Sequence, residues 1–300
     1  DGSVSVSTGA VEMGQGVNGK ILLAAARTLG IASRRLRIES TCTRRVANTS
    51  PTAASTGADL NGRAAELACQ EIRSRLLQVA AARLNAPAGE LEIRSDAVLR
   101  AGQKTGLGWE ELVQAAYLAR VSLSAQAHYA TPGIHFDRAS EKGEPFAYHV
   151  FGTALVEATV DGLRGVADVD AVRVVHDAGA SLSPLVDRGQ AEGGIVQGIG
   201  WVTLEELIYS DQGRLLTDTL SAYKVPDIRT APATIEVRFL KDAPNPAALL
   251  GSKAVGEPPF MYGIGAYFAL LAALRAFRPH KPLPFSAPLT NEKILAWLAE

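Results

Sequence analysis

Cysteine is scarce in this 300-residue chain, which has only Cys42 and Cys69. Two thiols cannot build a disulfide framework or a four-ligand zinc site, and cytoplasm is the expected compartment. Charge of one sign is also missing: 30 Lys and Arg stand against 31 Asp and Glu, a net charge of -1. That excludes the broad basic footprint of a nucleic-acid binder or of a protein drawn to an acidic membrane surface. The one basic run, Arg34-Arg35-Leu36-Arg37 with Arg44-Arg45, reads as a solvated face. No run of eighteen consecutive apolar residues occurs, so no membrane span is expected, and no signal peptide is recognisable. Three familiar signatures are lacking too. No Gly-x-Gly-x-x-Gly joins a first strand to its helix, no P-loop occurs, and no Gly-x-Ser-x-Gly elbow is present.

What remains is a composition ordinary for a globular protein, in a chain long enough to bury a large core. Val4-Ser5-Val6-Ser7 alternates as a strand. The Gly-rich loop Gly9 to Gly16 follows, then a helix over Ile21–Leu29 stopped by Gly30 and a short strand at 37–40. The pair Asp1-Gly2 favours a hairpin turn, so a strand upstream of residue 1 is expected. The run from Asn48 to Gly57, rich in small residues and hydroxyls, leads into a long helix over 58–84. Its expected apolar stripe is Leu60, Ala64, Leu67, Ala68, Ile72, Leu76 and Val79. A hairpin around Ser95-Asp96, a helix over Trp109–Leu118 and a strand over Val121–Tyr129 come next. The polar stretch 131–145 reads as a surface loop and lobe boundary.

The second half is denser in strands. His149–Val160 and Asp168–His176 alternate well, joined by a Gly-rich turn. A helix is expected over 185–200 despite Gly193, Gly194, Gly198 and Gly200. Each such glycine costs about 1 kcal/mol relative to Ala, so they signal close packing or a close ligand. Strands are expected at 204–209 and 235–240, irregular chain at 217–226, an apolar helix over 265–276, an extended Pro-rich arm and a terminal helix over 291–299. The expected fold class is α/β (α+β): mixed sheets layered with helices, in two lobes around a central crevice. The lobes are placed at 1–145 and 146–300.

One unit recurs three times: strand, Gly-rich loop, apolar helix. The loops run over 9–19, 177–194 and 244–263, and each brings one polar side chain, Gln15, Gln197 or Glu257, to a strand-to-helix junction. Glu257 is the sharpest of these. Gly256 before it lets the backbone take unusual conformations or a ligand come close, and Pro258-Pro259 after it stiffens the turn. A general base needs a carboxylate held this firmly and partly desolvated. A helix N-terminus explains the same residues, since acidic side chains and Pro are both common there. Gln197 is either a buried hydrogen-bonding side chain or a residue on the exposed side of its helix.

Taken together, these segments resemble the large molybdenum subunit of the xanthine dehydrogenase and aldehyde oxidase family. The matching runs are Glu12-Met13-Gly14-Gln15-Gly16; Asn48 to Ser55; Gly189-Gln190-Ala191-Glu192-Gly193 with Val196-Gln197-Gly198; Thr203-Leu204-Glu205-Glu206; Tyr223-Lys224-Val225-Pro226; and Ser252 to Pro259. They fall in the family's order over about residues 1 to 278. Thr131-Pro132 followed by Gly143-Glu144-Pro145-Phe146 brings the chain nearest the xanthine dehydrogenase branch.

The resemblance implies a molybdopterin cofactor and the hydroxylation of a purine or aldehyde carbon, with water as oxygen source. Glu257 matches the glutamate that takes up the proton. Gln15 and Gln197 match cofactor-contacting carboxamides. Met13 and Gly14, and then Thr52, Ala53, Ala54 and Ser55, match backbone and hydroxyl contacts. Ala54 would leave room for substrate, and Gly256 sits beside the base. No residue is implied as a direct metal ligand. The 2Fe-2S clusters and FAD are implied on other domains or subunits. The family's upstream Gly-Gly-Phe-Gly-Gly and Phe-Arg-Gly-Phe-Gly type loops, with the substrate-orienting arginine, have no counterpart among these residues. The chain is therefore expected to be the C-terminal part of a catalytic subunit, binding cofactor poorly and turning over nothing alone. Its implied partners are the upstream half, the iron–sulfur and flavin modules and a small purine or aldehyde, in a larger oligomer. An aldehyde oxidase or other N-heterocycle hydroxylase is the nearest alternative. A non-catalytic cofactor-binding or assembly module is the alternative of another class.

Overall fold

The computed structural model describes residues 1–46 and 49–300. Asn48, the first residue of one matching run, lies outside the described residues. The chain divides into two compact units, one of Asp1–Tyr148 with Asn245–Gly251 and one of His149–Pro244 with Ser252–Glu300.

In the first unit, β1 (Val4–Val6) passes through helix α1 (Val17–Leu29) to β2 (Leu36–Ile38), and the two strands pair in parallel. Gly30 ends α1 in the left-handed region at φ 75, its N–H returning to Ala26 and Arg27. A Cβ there would lie 1.9 Å from the Ile93 carbonyl oxygen, so no other residue fits without displacing backbone. Helix α2 (Gly57–Leu84) packs on α1. Strands β3 (Leu91–Arg94), β4 (Ala97–Arg100) and β5 (Gln103–Gly108) form an antiparallel sheet leading into α3 (Trp109–Leu118). The expected hairpin is present, with Ser95 and Asp96 both at positive φ, as a two-residue primed turn requires. Asp96 tolerates that conformation and uses its carboxylate to accept from Ala32 N–H and Arg35 Nε. The core gathers Leu29, Leu76, Ile93, Val98, Trp109 and Leu112.

Three expectations for this unit change. The buried positions of α2 are Gly62, Cys69, Leu76 and Ala80, whereas Leu60 and Leu67 are exposed. Gly62 faces Leu249 so closely that a Cβ would come within 2.3 Å of it, so the helix turns its smallest residue inward there. The segment 121–129 alternates in exposure but belongs to no strand among the described residues. Arg75 instead takes the Ser122 and Ser124 carbonyls that a neighbouring strand would use. Within the expected loop 131–145, β6 (His135–Asp137) and β7 (Lys142–Glu144) pair as a small exposed hairpin.

In the second unit, β8 (Gly152–Asp161) and β9 (Val166–His176) form the long expected hairpin. At its turn the Asp161 carboxylate accepts from the Leu163 and Arg164 N–H groups. Helix α4 (Pro184–Thr203) and the single turn α5 (Leu220–Tyr223) follow β9. Strand β10 (Thr234–Phe239) pairs in parallel with β9, giving the order β10-β9-β8. The chain ends with α6 (Phe260–Gly263), α7 (Gly265–Phe277) and α8 (Asn291–Ala299). Val172, Val174, Ile195, Ile199, Val237, Leu270, Leu274 and Ile294 fill the core between sheet and helices.

The stretch 204–209 is not a strand. It makes one bridge, Tyr209 to Leu215, and Leu207, Ile208 and Tyr209 are all exposed, so no sheet face buries the alternation. The irregular chain expected at 217–226 contains α5, capped by the Thr219 side chain. The segment Phe260–Phe277 is long and apolar enough to cross a bilayer by length and composition. Its α7 portion instead buries Ala266, Tyr267, Leu270 and Leu274 in this core.

Candidate functional site

In the first unit the loop between β1 and α1 folds around its own Glu12. One oxygen of that carboxylate accepts from the N–H groups of Gly14 and Gly16, at 3.0 and 2.9 Å, and the other accepts from Asn18. Partial burial alone would raise the Glu12 pKa; the backbone donors Asn18, Gly16, Gly14 and Gln15 outweigh it and hold the carboxyl below its usual value. Gly14 and Gly16 sit at φ 102 and 78, the left-handed conformations that aim consecutive amides at one anion. Sequence reasoning missed Glu12. Its signal is an acidic residue just ahead of Gly-x-Gly at a helix start.

Gln15, the predicted cofactor contact, turns into the same loop. Its Oε1 accepts from Met13 N–H and its Nε2 donates to the Val11 carbonyl. Met13 and Gly14 are exposed, and nothing lies within 4 Å of a Cβ built on Gly14. The second predicted stretch adjoins this one: Thr52 Oγ1 accepts from Val11 N–H at 2.9 Å. Ala53 and Ala54 are exposed, and Ala54 and Ser55 stand in succession at φ 57 and 51. Two consecutive non-glycine residues in that region cost of order 1–3 kcal/mol each, and such strain clusters where a ligand is gripped. At the start of α1, buried Asn18 Oδ1 has no hydrogen-bond partner. The main-chain donors at Val11, Met13, Gly14, Gly16 and Asn18 are taken up by Thr52, Gln15 and the Glu12 carboxylate. What fits the organic, hydrogen-bonding pterin that the resemblance implies is the unsatisfied Asn18 Oδ1, the open space at Gly14 and the exposed Ala53 and Ala54 beside it.

In the second unit, Glu257 opens the turn into α6, and its carbonyl accepts from Phe260 N–H at 3.0 Å. Its side chain is exposed, as is that of Gln197 on α4. The partly desolvated setting expected for Glu257 is thus not provided in this structure. Helix α4, which carries Gln197, packs directly on α6, which begins three residues after Glu257. The glycines of α4 explain how: a Cβ on Gly194 would lie 2.9 Å from the Gly256 carbonyl oxygen, and one on Gly198 would lie 2.1 Å from that of Phe260. Gly263 answers from α6, where a Cβ would fall 2.4 Å from the Ile195 carbonyl oxygen. Trp201 stacks near Phe260, ring centroids 5.3 Å apart. The seam is backbone on backbone, which only glycine permits.

Beneath this segment lies a buried polar group that sequence reasoning also missed. His176, the last residue of β9, is fully buried and bonds through Nδ1 to Tyr262 Oη at 2.8 Å. Burial holds its pKa below the usual histidine value, against the opposing pull of Asp177 and Asp187. Asp177 pairs with Lys253, the residue four before Glu257.

Residues 1–232 match the family model for a molybdopterin cofactor-binding domain. The chain is 40% identical over 299 residues to the xanthine dehydrogenase of Drosophila subobscura, covering 98% of this chain and 21% of that protein. It is 40% identical over 301 residues to the xanthine dehydrogenase/oxidase of Felis catus, with the same coverage on both sides. It therefore spans about a fifth of the length of these relatives. Among solved structures, quinoline 2-oxidoreductase from Pseudomonas putida 86 matches with a TM-score of 0.80 at 28% identity, over 99% of this chain and 36% of that one. The reconstituted CO dehydrogenase from Oligotropha carboxidovorans matches with a TM-score of 0.82 at 22% identity, over 98% of this chain and 35% of that one, a likeness of fold. The match over residues 1–232, most of the chain, places this chain in the molybdopterin cofactor-binding domain family.

Proposed function

We propose that the chain is the C-terminal part of a molybdenum hydroxylase catalytic subunit, acting on a purine such as xanthine or hypoxanthine. The observation that carries this is the Gly256-Glu257-Pro258-Pro259 turn, seated against the glycine face of α4 in a chain 40% identical to xanthine dehydrogenases. A pure binding module has no use for a carboxylate held at such a turn. When bound, the cofactor supplies the redox centre at which a ring carbon is oxidised, with water as oxygen source. Glu257 is the general base, taking a proton onto its carboxylate. Gln197, Met13, Gly14, Gln15, Thr52, Ala53 and Ser55 contact the cofactor through amides and hydroxyls, while Ala54 leaves space for substrate and Gly256 lets the ligand approach. Gln15 must exchange its bonds inside the loop for bonds to the cofactor. The exposed Glu257 gains its desolvation from cofactor, substrate and the rest of the subunit. The partners are that upstream region and the modules carrying 2Fe-2S and FAD, in the cytoplasm.

Glu257→Gln in the complete enzyme tests the role. Removing a general base costs about 10²–10⁴-fold in kcat, so oxidation of xanthine is expected to fall by that much with molybdenum content intact. Near-native turnover would remove Glu257 from the role. A second substrate class, aromatic N-heterocycles, is favoured by the 28% identical quinoline 2-oxidoreductase. Competition between xanthine and quinoline for the same enzyme separates the two.

A further inference from the structure

We propose that Lys253 and Asp177 are positioning residues for Glu257, a buried ion pair that fixes the upstream end of the segment carrying it. The proposal rests on the reading of Glu257 as the base. Asp177 is itself held by the sheet, because its N–H donates to Phe151 O at 2.9 Å, beyond the last residue of β9. Its carboxylate accepts from Gly179 N–H and from Lys253 Nζ. Both side chains are largely buried, at 8% exposure for Asp177 and 13% for Lys253. Lys253 Nζ also donates to the His149 carbonyl at 2.9 Å and stands 5.6 Å from the centre of the Phe151 ring. The main chain repeats the attachment: Lys253 N–H donates to Ala178 O at 2.9 Å, and Ser252 bridges to Gly179.

Downstream, the glycine seam and the Phe260 N–H bond to Glu257 O clamp the other end. Between the two anchors lie only Ala254, Val255 and Gly256, and Val255 is buried. A flexible glycine beside a catalytic carboxylate is tolerable only if both flanks are fixed, since a misplacement of about 1 Å can cost of order 10²-fold in rate. A buried pair suits the task because its partners are irreplaceable in geometry, whatever its net contribution to stability.

The test uses Lys253→Met, Asp177→Asn and the double variant, in the complete subunit. Each single variant leaves one charge buried alone and is expected to destabilise. The double variant removes both charges and is expected to regain most of the lost thermal stability and the native molybdenum content. If the pair positions Glu257, the double variant still shows kcat reduced at least about 10-fold, with KM changed less than about 2-fold. Hydrogen exchange is expected to quicken at the amides of 253–257 and of Phe260, Pro258 and Pro259 having none, while those of β8 and β9 keep native rates. Native kcat in the double variant, or native exchange at 253–260, would overturn the proposal. Glu257→Gln, measured alongside, keeps the two claims apart: its turnover judges the base, whereas exchange at 253–260 judges the anchor.

Discussion

The glycine seam of α4 permits a quantitative experiment with an internal control. Gly193 and Gly198 lie in the same helix, one exposed and one buried. A Cβ on Gly193 meets nothing within 4 Å, whereas one on Gly198 would lie 2.1 Å from the Phe260 carbonyl oxygen and 3.1 Å from Gly263 Cα. Both substitutions to Ala gain about 1 kcal/mol of helix propensity. Only Gly198→Ala must drive α6 away, by roughly 1 Å or more, at an overpacking cost of about 1–3 kcal/mol. The propensity gain cancels between the two variants, so the difference in their stabilities isolates the seam at about 1–3 kcal/mol. In a chain of this size that is a gap of roughly 2–10 °C in Tm, with Gly193→Ala above the wild type. The same displacement moves the turn that begins at Glu257, so kcat of the complete enzyme should fall by up to about 10²-fold for Gly198→Ala and remain native for Gly193→Ala. Equal Tm values for the two variants, or native turnover in both, would refute the argument that these glycines exist to seat the Glu257 segment.

Two further expectations follow from charge and burial. His176 is held below its usual pKa by burial, so the folded protein stays neutral at this site at pH values where an unfolded histidine takes up a proton. Stability is then lost as pH falls below the unfolded histidine value, about 6.5; Tm should drop between about pH 7.5 and pH 5.5, and a His176→Gln variant should show a shallower slope, whereas parallel slopes would exclude His176 as the source. The thiols should separate as well, because burial pushes Cys69 up to about 11 while Cys42 is half-buried. A disulfide reagent near pH 8 should titrate Cys42 in the native chain and Cys69 only after denaturation. Comparable rates for both would contradict the burial of Cys69.

What could be read in the residues depended on how far each signal has to reach. Helices announce themselves locally. Trp109–Leu118 and Asn291–Ala299 fall where patterning places them, the second capped by the Thr290 side chain, and Gly30 stops α1 by a conformation that needs no partner. The hairpin at Ser95-Asp96 is equally local. A strand is different, because it needs another strand. The alternation at 121–129 is real in its exposure pattern, yet an arginine from α2 takes two of its carbonyls and no sheet forms there. The same limit governs the site. The turn around Glu257 is legible because Gly and Pro act on their own backbone. The excess of glycines in α4 is legible as a demand for closeness, but not as closeness to Phe260 and Gly263, some sixty residues on. Lys253 and Asp177 stand 76 positions apart, and each alone is an unremarkable charged residue. Glu12 shows the reverse case: the amides of Gly14, Gly16 and Asn18 that bond its carboxylate lie within six positions of it, so the nest was within reach of sequence reasoning. Its signal is an acidic residue just ahead of Gly-x-Gly, whereas Gln15, one residue past Gly14, has no charge with which to gather amides. An anion can gather several amides at once, and Glu12 does so here, while the Gln15 carboxamide accepts from Met13 N–H and donates to the Val11 carbonyl.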